Sequence, residues 1–218
     1  MNAILKYFTL NSSYVLEQFV RHFLISAYGV LLASLVGIPL GFYMADQRKL
    51  HDFIITVANV FQTIPSLAML AVLMLAMGIG TKTVIAAVFL YSLLPIMKNT
   101  VTGIRSIPPE ILDSATGMGM TRIQRILKVE IPLALSVIMG GVRNALVVAI
   151  GVTAIGTFIG AGGLGDIITR GINVANGQPI IWAGAIPTAI MAIGTDLLLG
   201  WIEKRLMPHH SYFNSSNP

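Results

Sequence analysis

The sequence predicts an all-α integral membrane protein: one domain over residues 1–218, about five transmembrane helices, and a cytoplasmic helix pair between spans three and four. Three observations predict it. Of 218 residues, 55% are hydrophobic, and the mean hydropathy is +0.80. Only 11% are charged, against roughly 25% in a soluble domain. Apolar stretches long enough to cross about 30 Å of hydrocarbon recur along the chain.

Taken in order, residues 1–22 read as an interfacial lead-in anchored by Tyr7, Phe8, Tyr14 and Phe19. Their one early basic residue, Lys6, and the late onset of apolar sequence argue against a cleavable signal. The spans follow at roughly Phe23–Ala45, Phe53–Met77, Thr83–Met97, Leu133–Ile159 and Ile180–Ile202. The third has fifteen residues between Lys82 and Lys98, about 22 Å of helix. It is predicted to continue past Lys98, through residue 101 toward Ile104, with the lysines snorkelling.

Orientation follows from the basic residues. Arg48, Lys49, Lys98, Arg105, Arg122, Arg125, Lys128, Lys204 and Arg205 fall on one side, and only Lys6, Arg21, Lys82 and Arg170 on the other. The richer side is expected to be cytoplasmic. The N-terminus then lies outside, and the C-terminus and loop 102–132 lie inside, in a multi-pass protein of the cytoplasmic membrane. The net charge of +5 reflects these loops and predicts no nucleic-acid partner.

Prolines and glycines punctuate the spans. Pro39, Pro65, Pro95 and Pro187 each remove a backbone hydrogen bond that lipid cannot replace. Gly29, Ala33, Gly37 and Gly41 recur every four residues, a ladder of small residues suited to close helix packing. Thr63, Pro65 and Ser66 break the second span near its middle, which makes them candidates for a transport pathway as well as for packing.

Loop 102–132 is the longest polar interruption. Pro108 and Pro109 suit the first turn of a helix, with Glu110 and Asp113 near its positive end. Ile111, Leu112, Ala115 and Met118 share a face, and Gly117 and Gly119 end the helix. Thr121 and Gln124 form a capping box that starts a second short helix. That helix carries Ile123, Ile126 and Leu127 on one stripe and Arg122, Arg125 and Lys128 on another. Physics alone leaves two uses open: a handle for a soluble partner, or an amphipathic pair resting on lipid headgroups.

The order Asp113-Ser114-Ala115, Gly119, Val129, Ile131 and Pro132 resembles the cytoplasmic EAA loop of ABC importer permeases. The spacings agree, while Asp, Ser, Val and Ile replace the family's Glu, Ala, Ile and Leu. With the five-span layout, the resemblance extends over nearly the whole chain and is nearest to the small methionine-type permease fold. It implies that Asp113, Ser114, Ala115, Gly119, Arg122, Arg125 and Pro132 couple the chain to a cytoplasmic ATPase. Residues 63–68 and 158–165 resemble the osmoprotectant branch, which imports glycine betaine, carnitine and choline. That branch implies a second permease, a paralogue or a further copy, and an extracytoplasmic substrate-binding lipoprotein. ATP and Mg are then expected on the ATPase, and this chain binds no cofactor. It has no Gly-x-x-x-x-Gly-Lys-Ser/Thr loop of its own.

Other signals point the same way. Gly160 to Gly165 satisfies Gly-x-Gly-x-x-Gly, but in a helical span and with no acidic residue before Asp196 except Asp166. A dinucleotide site needs a strand before it and a helix after it, so the segment reads instead as a flexible outer loop, with Gly162 and Gly163 as candidate gate residues. Arg143 and Asp196 are charges within spans, at compatible depths, and are predicted to pair, as bracing or as a pathway element. Tyr91 and Trp182 are candidate quaternary-ammonium contacts or interfacial anchors. With no cysteine and four histidines, two of them adjacent at His209 and His210, no metal site is expected. The Asn-x-Ser triplets at Asn11 and Asn214 carry little weight. A methionine or other amino-acid permease, a passive channel and a membrane-embedded enzyme are the alternatives, and no paired carboxylates or nucleophile–base set supports an enzyme.

Overall fold

A computed structural model describes residues 2–206; His209, His210 and Asn214 lie outside the described residues. The elements are α1 (Asn2–Leu10), α2 (Ser12–Ala45), α3 (Arg48–Thr63), α4 (Ser66–Met77), α5 (Thr81–Arg105), α6 (Pro109–Gly117), α7 (Arg122–Arg125), a π turn (Ile126–Glu130), α8 (Ile131–Ile155), a 3₁₀ turn (Gly156–Ile159), α9 (Leu164–Ile172) and α10 (Gln178–Leu206). No strand occurs among the described residues.

Among the described residues four helical stretches are long and apolar enough to span: Ser12–Ala45, Thr81–Arg105, Arg122–Ile159 and Gln178–Arg205. The second expected span, Phe53–Met77, is not one straight helix. It is α3 and α4, bent by 100°. Proline disfavours helical geometry in the residue before it, and Ile64 accordingly sits extended at φ −70°, ψ 125°.

The N-terminal expectation needs correction. The first span begins at Ser12 rather than Phe23, so only α1 is a separate lead-in. Val15, Gln18, His22, Ile25 and Ser26 are buried on one face of α2, so this N-terminal part of the helix packs on the bundle. Tyr7, Phe8, Tyr14 and Phe19 pack against the main core instead of standing free at the interface.

α5 lies against both α2 and α8, and these three helices make the centre of the bundle. The ladder on α2 is the reason they approach so closely. A Cβ on Gly29 would collide with Val88, one on Gly37 would lie 3.1 Å from Ile96 Cγ2, and one on Gly41 would lie 2.6 Å from Thr100 Cβ. On the other side of α5, a Cβ on Gly141 of α8 would lie 2.9 Å from the Pro95 carbonyl. Where lipid offers no hydrophobic drive between helices, such backbone proximity supplies the attraction. α10 packs on α8 and α9 and leaves Trp182, Ile186, Ile190, Ile193, Leu197 and Trp201 exposed.

Candidate functional site

Loop 102–132 is built from strong local signals. Pro108 precedes α6 in extended geometry and Pro109 occupies its first turn. At its other end the Gly119 amide donates to the Thr116 carbonyl (2.9 Å) and the Met120 amide to Ala115 (3.2 Å). This pair of bonds is a Schellman cap, and it requires the left-handed φ of +79° that Gly119 adopts. Thr121 Oγ1 accepts from the Gln124 amide (3.4 Å), and Gln124 Oε1 accepts from the Thr121 amide (2.9 Å).

Two expectations for the loop change. The second helix is not a separate short unit: α7, the π turn, α8 and the 3₁₀ turn run on as one stretch of 38 residues, Arg122–Ile159. The π register directly precedes Pro132, whose missing N–H cannot serve an α-helical bond. The loop does present apolar side chains: Ala115 is buried, while Met118, Ile123 and Leu127 are exposed. Finally, the basic flank is partly neutralised, because Arg122 pairs with Asp46 (2.8 Å) and Arg125 with Glu130 (2.7 Å). Asp113, Ser114 and Gly119 are exposed, and Pro132 is half-buried.

At the break between α3 and α4, Thr63 and Pro65 are exposed and Ser66 is half-buried. Tyr91 does not join them as an open lining residue; it is 6% exposed. Its hydroxyl donates to the Ile64 carbonyl, which the break leaves without a helical partner. Pro95 likewise leaves the Tyr91 carbonyl free, and Gln62 Nε2 donates to it at 3.0 Å. Tyr91 and Gln62 therefore brace two proline interruptions against each other. Trp182 is exposed on α10, apart from this region.

The glycine segment is pinned, which corrects its expected flexibility. Gly160, Gly162 and Gly163 take φ of +76°, +73° and +85°. The Gly163 amide donates to Gln18 Oε1 at 2.7 Å, and the Leu164 amide to His22 Nδ1 at 3.2 Å. His22 is fully buried, and its Nε2 lies 2.9 Å from the Ile150 carbonyl. The tautomer with its proton on Nε2 satisfies both contacts. One turn further along α2, Ser26 Oγ lies 2.9 Å from Thr153 Oγ1. A Cβ on Gly162 would press on the Arg21 guanidinium at 3.1 Å. At the α9 end of this seam Tyr14 donates to Asp166 (2.5 Å), which also pairs with Arg170 (2.9 Å). Gln18, His22 and Ser26 were missed as site residues. Their signal was a row of polar side chains four apart in a membrane helix, where each needs a partner.

Arg143 and Asp196 meet between α8 and α10, with Nε and Nη2 each 3.0 Å from a carboxylate oxygen. A third member was not foreseen: Arg143 Nη1 lies 2.9 Å from Glu203 Oε2. Glu203 is seven residues, two turns, beyond Asp196 and shares its face of α10. Gly200 between them gives the guanidinium room, since a Cβ there would lie 3.1 Å from its central carbon. Among the described residues no cluster of three His, Asp or Glu could hold a metal ion.

The chain is thus a membrane helix bundle with one broken span and an exposed helix pair at one end. Residues 37–208 match the family described as binding-protein-dependent transport system inner membrane component, and the chain belongs to that family. It is 61% identical over 208 residues to the carnitine transport permease protein OpuCD of Listeria monocytogenes strain 10403S, covering 95% of this chain and 93% of that protein. Against the choline transport system permease protein OpuBD of Bacillus subtilis it is 60% identical, covering 95% and 92%. Among solved structures, a chain of an inward-facing MetNI methionine ABC transporter superimposes with a TM-score of 0.80 at 19% identity, covering 89% of this chain and 97% of that one. The fold is thus the methionine-type permease fold expected from the sequence, and the subunit is a permease rather than an enzyme.

Proposed function

We propose that this permease imports quaternary ammonium compatible solutes, namely glycine betaine, carnitine or choline, by alternating access powered by a separate ATPase. The observation that carries the coupling is the continuity of α7 with α8. A push on the exposed α6–α7 pair is transmitted along one helical stretch, Arg122–Ile159, to the pinned Gly160–Gly163 turn at its far end. The solute class rests on the relatives named for carnitine and choline transport at 60–61% identity. A methionine permease shares the fold at only 19% identity, which speaks for the fold alone.

The partners follow from this role. ATPase subunits, which bind ATP and Mg, dock on Met118, Ile123 and Leu127 around the Asp113–Gly119 turn. A binding lipoprotein delivers solute at the opposite face and carries the high-affinity aromatic box. Weak contacts suit the path itself, since tight binding there would trap the solute. A paralogous permease completes the path. Bacillus subtilis carries two permease proteins named for one glycine betaine/carnitine/choline system, and this chain is 62% identical to one and 39% to the other.

The test is reconstitution with the ATPase, second permease and binding protein in vesicles, followed by uptake of labelled betaine, carnitine, choline and methionine. ATP-dependent uptake of at least one quaternary ammonium solute is expected. Uptake of methionine alone would replace the solute class, and uptake indifferent to ATP would make the protein a channel.

A further inference from the structure

We propose that the groove between α3 and α5, at the bundle end that carries α6 and α7, binds the headgroup of an anionic phospholipid. The groove is lined by His51 and Ile55 of α3 and by Lys98, Val101, Thr102, Arg105 and Ser106 at the end of α5, around a cavity of about 540 Å³. That volume lies within the range of small-molecule sites. Lys98, Thr102 and Arg105 fall at i, i+4 and i+7, so they line one face of α5 over about 10 Å.

The two cations of this groove lack carboxylate partners. Among the described residues neither Lys98 nor Arg105 has a carboxylate within ion-pair distance, unlike Arg122, Arg125, Arg143 and Arg170. Lys98 Nζ has the Asn59 amide oxygen at 3.4 Å. Arg105 donates its Nε to the Ala45 carbonyl at 3.2 Å, which leaves both terminal nitrogens available. The exposed Asp52 carboxylate faces His51 Nδ1 at 2.9 Å, not either cation.

Lys98 lies two turns inward from the end of α5 at Arg105. A cation at that depth needs an anion or water. Ile55 and Val101 form an apolar, buried floor, which an amphiphile uses and a free anion does not. Basic pockets between spans at the cytoplasmic leaflet select anionic headgroups in this way, with a phosphodiester on the cations and hydroxyls. The site rests on the proposed orientation, in which this end faces the cytoplasm.

Native mass spectrometry of the assembled transporter, exchanged into mixed phosphatidylglycerol and phosphatidylcholine nanodiscs, tests the proposal. The wild type is expected to retain phosphatidylglycerol preferentially. Lys98→Gln with Arg105→Gln should lower that preference about thirtyfold, as for loss of two surface cations. Lys98→Arg with Arg105→Lys should keep it, as should Lys82→Gln at the other end of α5. Absence of preference in the wild type would overturn the site even if the double variant failed to assemble. So would an unchanged preference in the double variant, equal displacement by glycerol phosphate, or a groove protected by the ATPase instead of by lipid. Orientation is read separately. The chain has no cysteine, so Lys49→Cys reports sidedness through a membrane-impermeant maleimide, and labelling from outside would overturn the orientation without touching the lipid result.

Discussion

Replacing His22 with alanine tests whether the glycine turn is pinned or free. In the structure His22 Nδ1 accepts the Leu164 amide at 3.2 Å, and its Nε2 meets the Ile150 carbonyl at 2.9 Å. The ring is completely buried, so water cannot substitute readily. An amide left without an acceptor costs about 1–3 kcal/mol. The Ile150 carbonyl sits inside α8 and keeps its helical partner, so the Leu164 amide dominates the loss. Gln18 still holds Gly163, so the turn loosens rather than detaches. Local opening of residues 160–165 becomes easier by that amount, which speeds their amide exchange roughly 5- to 150-fold. Hydrogen exchange read by mass spectrometry in nanodiscs measures it, with peptides from α10 as internal reference. His22→Gln should restore much of the protection, because its amide can both accept and donate. Unchanged exchange at 160–165 in His22→Ala, or equal acceleration throughout α10, would refute the pin.

Gly119→Asp is expected to uncouple ATP hydrolysis from uptake while the spans remain folded: nothing lies near an added Cβ, but the φ of +79° disfavours any side chain, so the change strains the cap that ends α6 and alters the exposed loop without touching the bundle. Parallel ATPase and uptake assays check it, and unaltered uptake would return the loop to a role on lipid. Gly41→Ala should lower the yield of monodisperse protein in size-exclusion chromatography, since its Cβ would lie 2.6 Å from Thr100 Cβ, and Thr100→Gly in the same chain should recover part of it. Arg143→Ala should also reduce that yield, because it leaves Asp196 and Glu203 facing each other without a cation; adding Asp196→Asn and Glu203→Gln should rescue it, and an unaffected single variant would show that the triad does not brace α8 on α10.

Particular residues show how far the sequence was legible. The capping box at Thr121, the turn at Gly119 and the small-residue ladder from Gly29 to Gly41 depend on neighbours a few positions away, and each reads directly from spacing. Pro65 marked the break but not its angle, because the bend depends on what α4 packs against. The Arg143–Asp196 pair was legible because charge is scarce in a span and depth can be counted from the ends. Glu203 was not, since it lies near the membrane surface, where a carboxylate needs no partner. The coupling flank looked free because Asp46 is 76 positions from Arg122.

By itself the sequence determined that this chain is a bundle of membrane helices with a capped helix pair at one end. Hydrocarbon forces each span to satisfy its own backbone, so composition and local pattern suffice to define it. Only the tertiary structure decided that Tyr91 braces a broken helix, that α7 runs into α8 without a break, and that His22 holds a turn 142 residues away. Side-chain polar groups in a membrane must find partners, but which partner lies within 3 Å or so is settled by how the helices pack, and no local pattern encodes that.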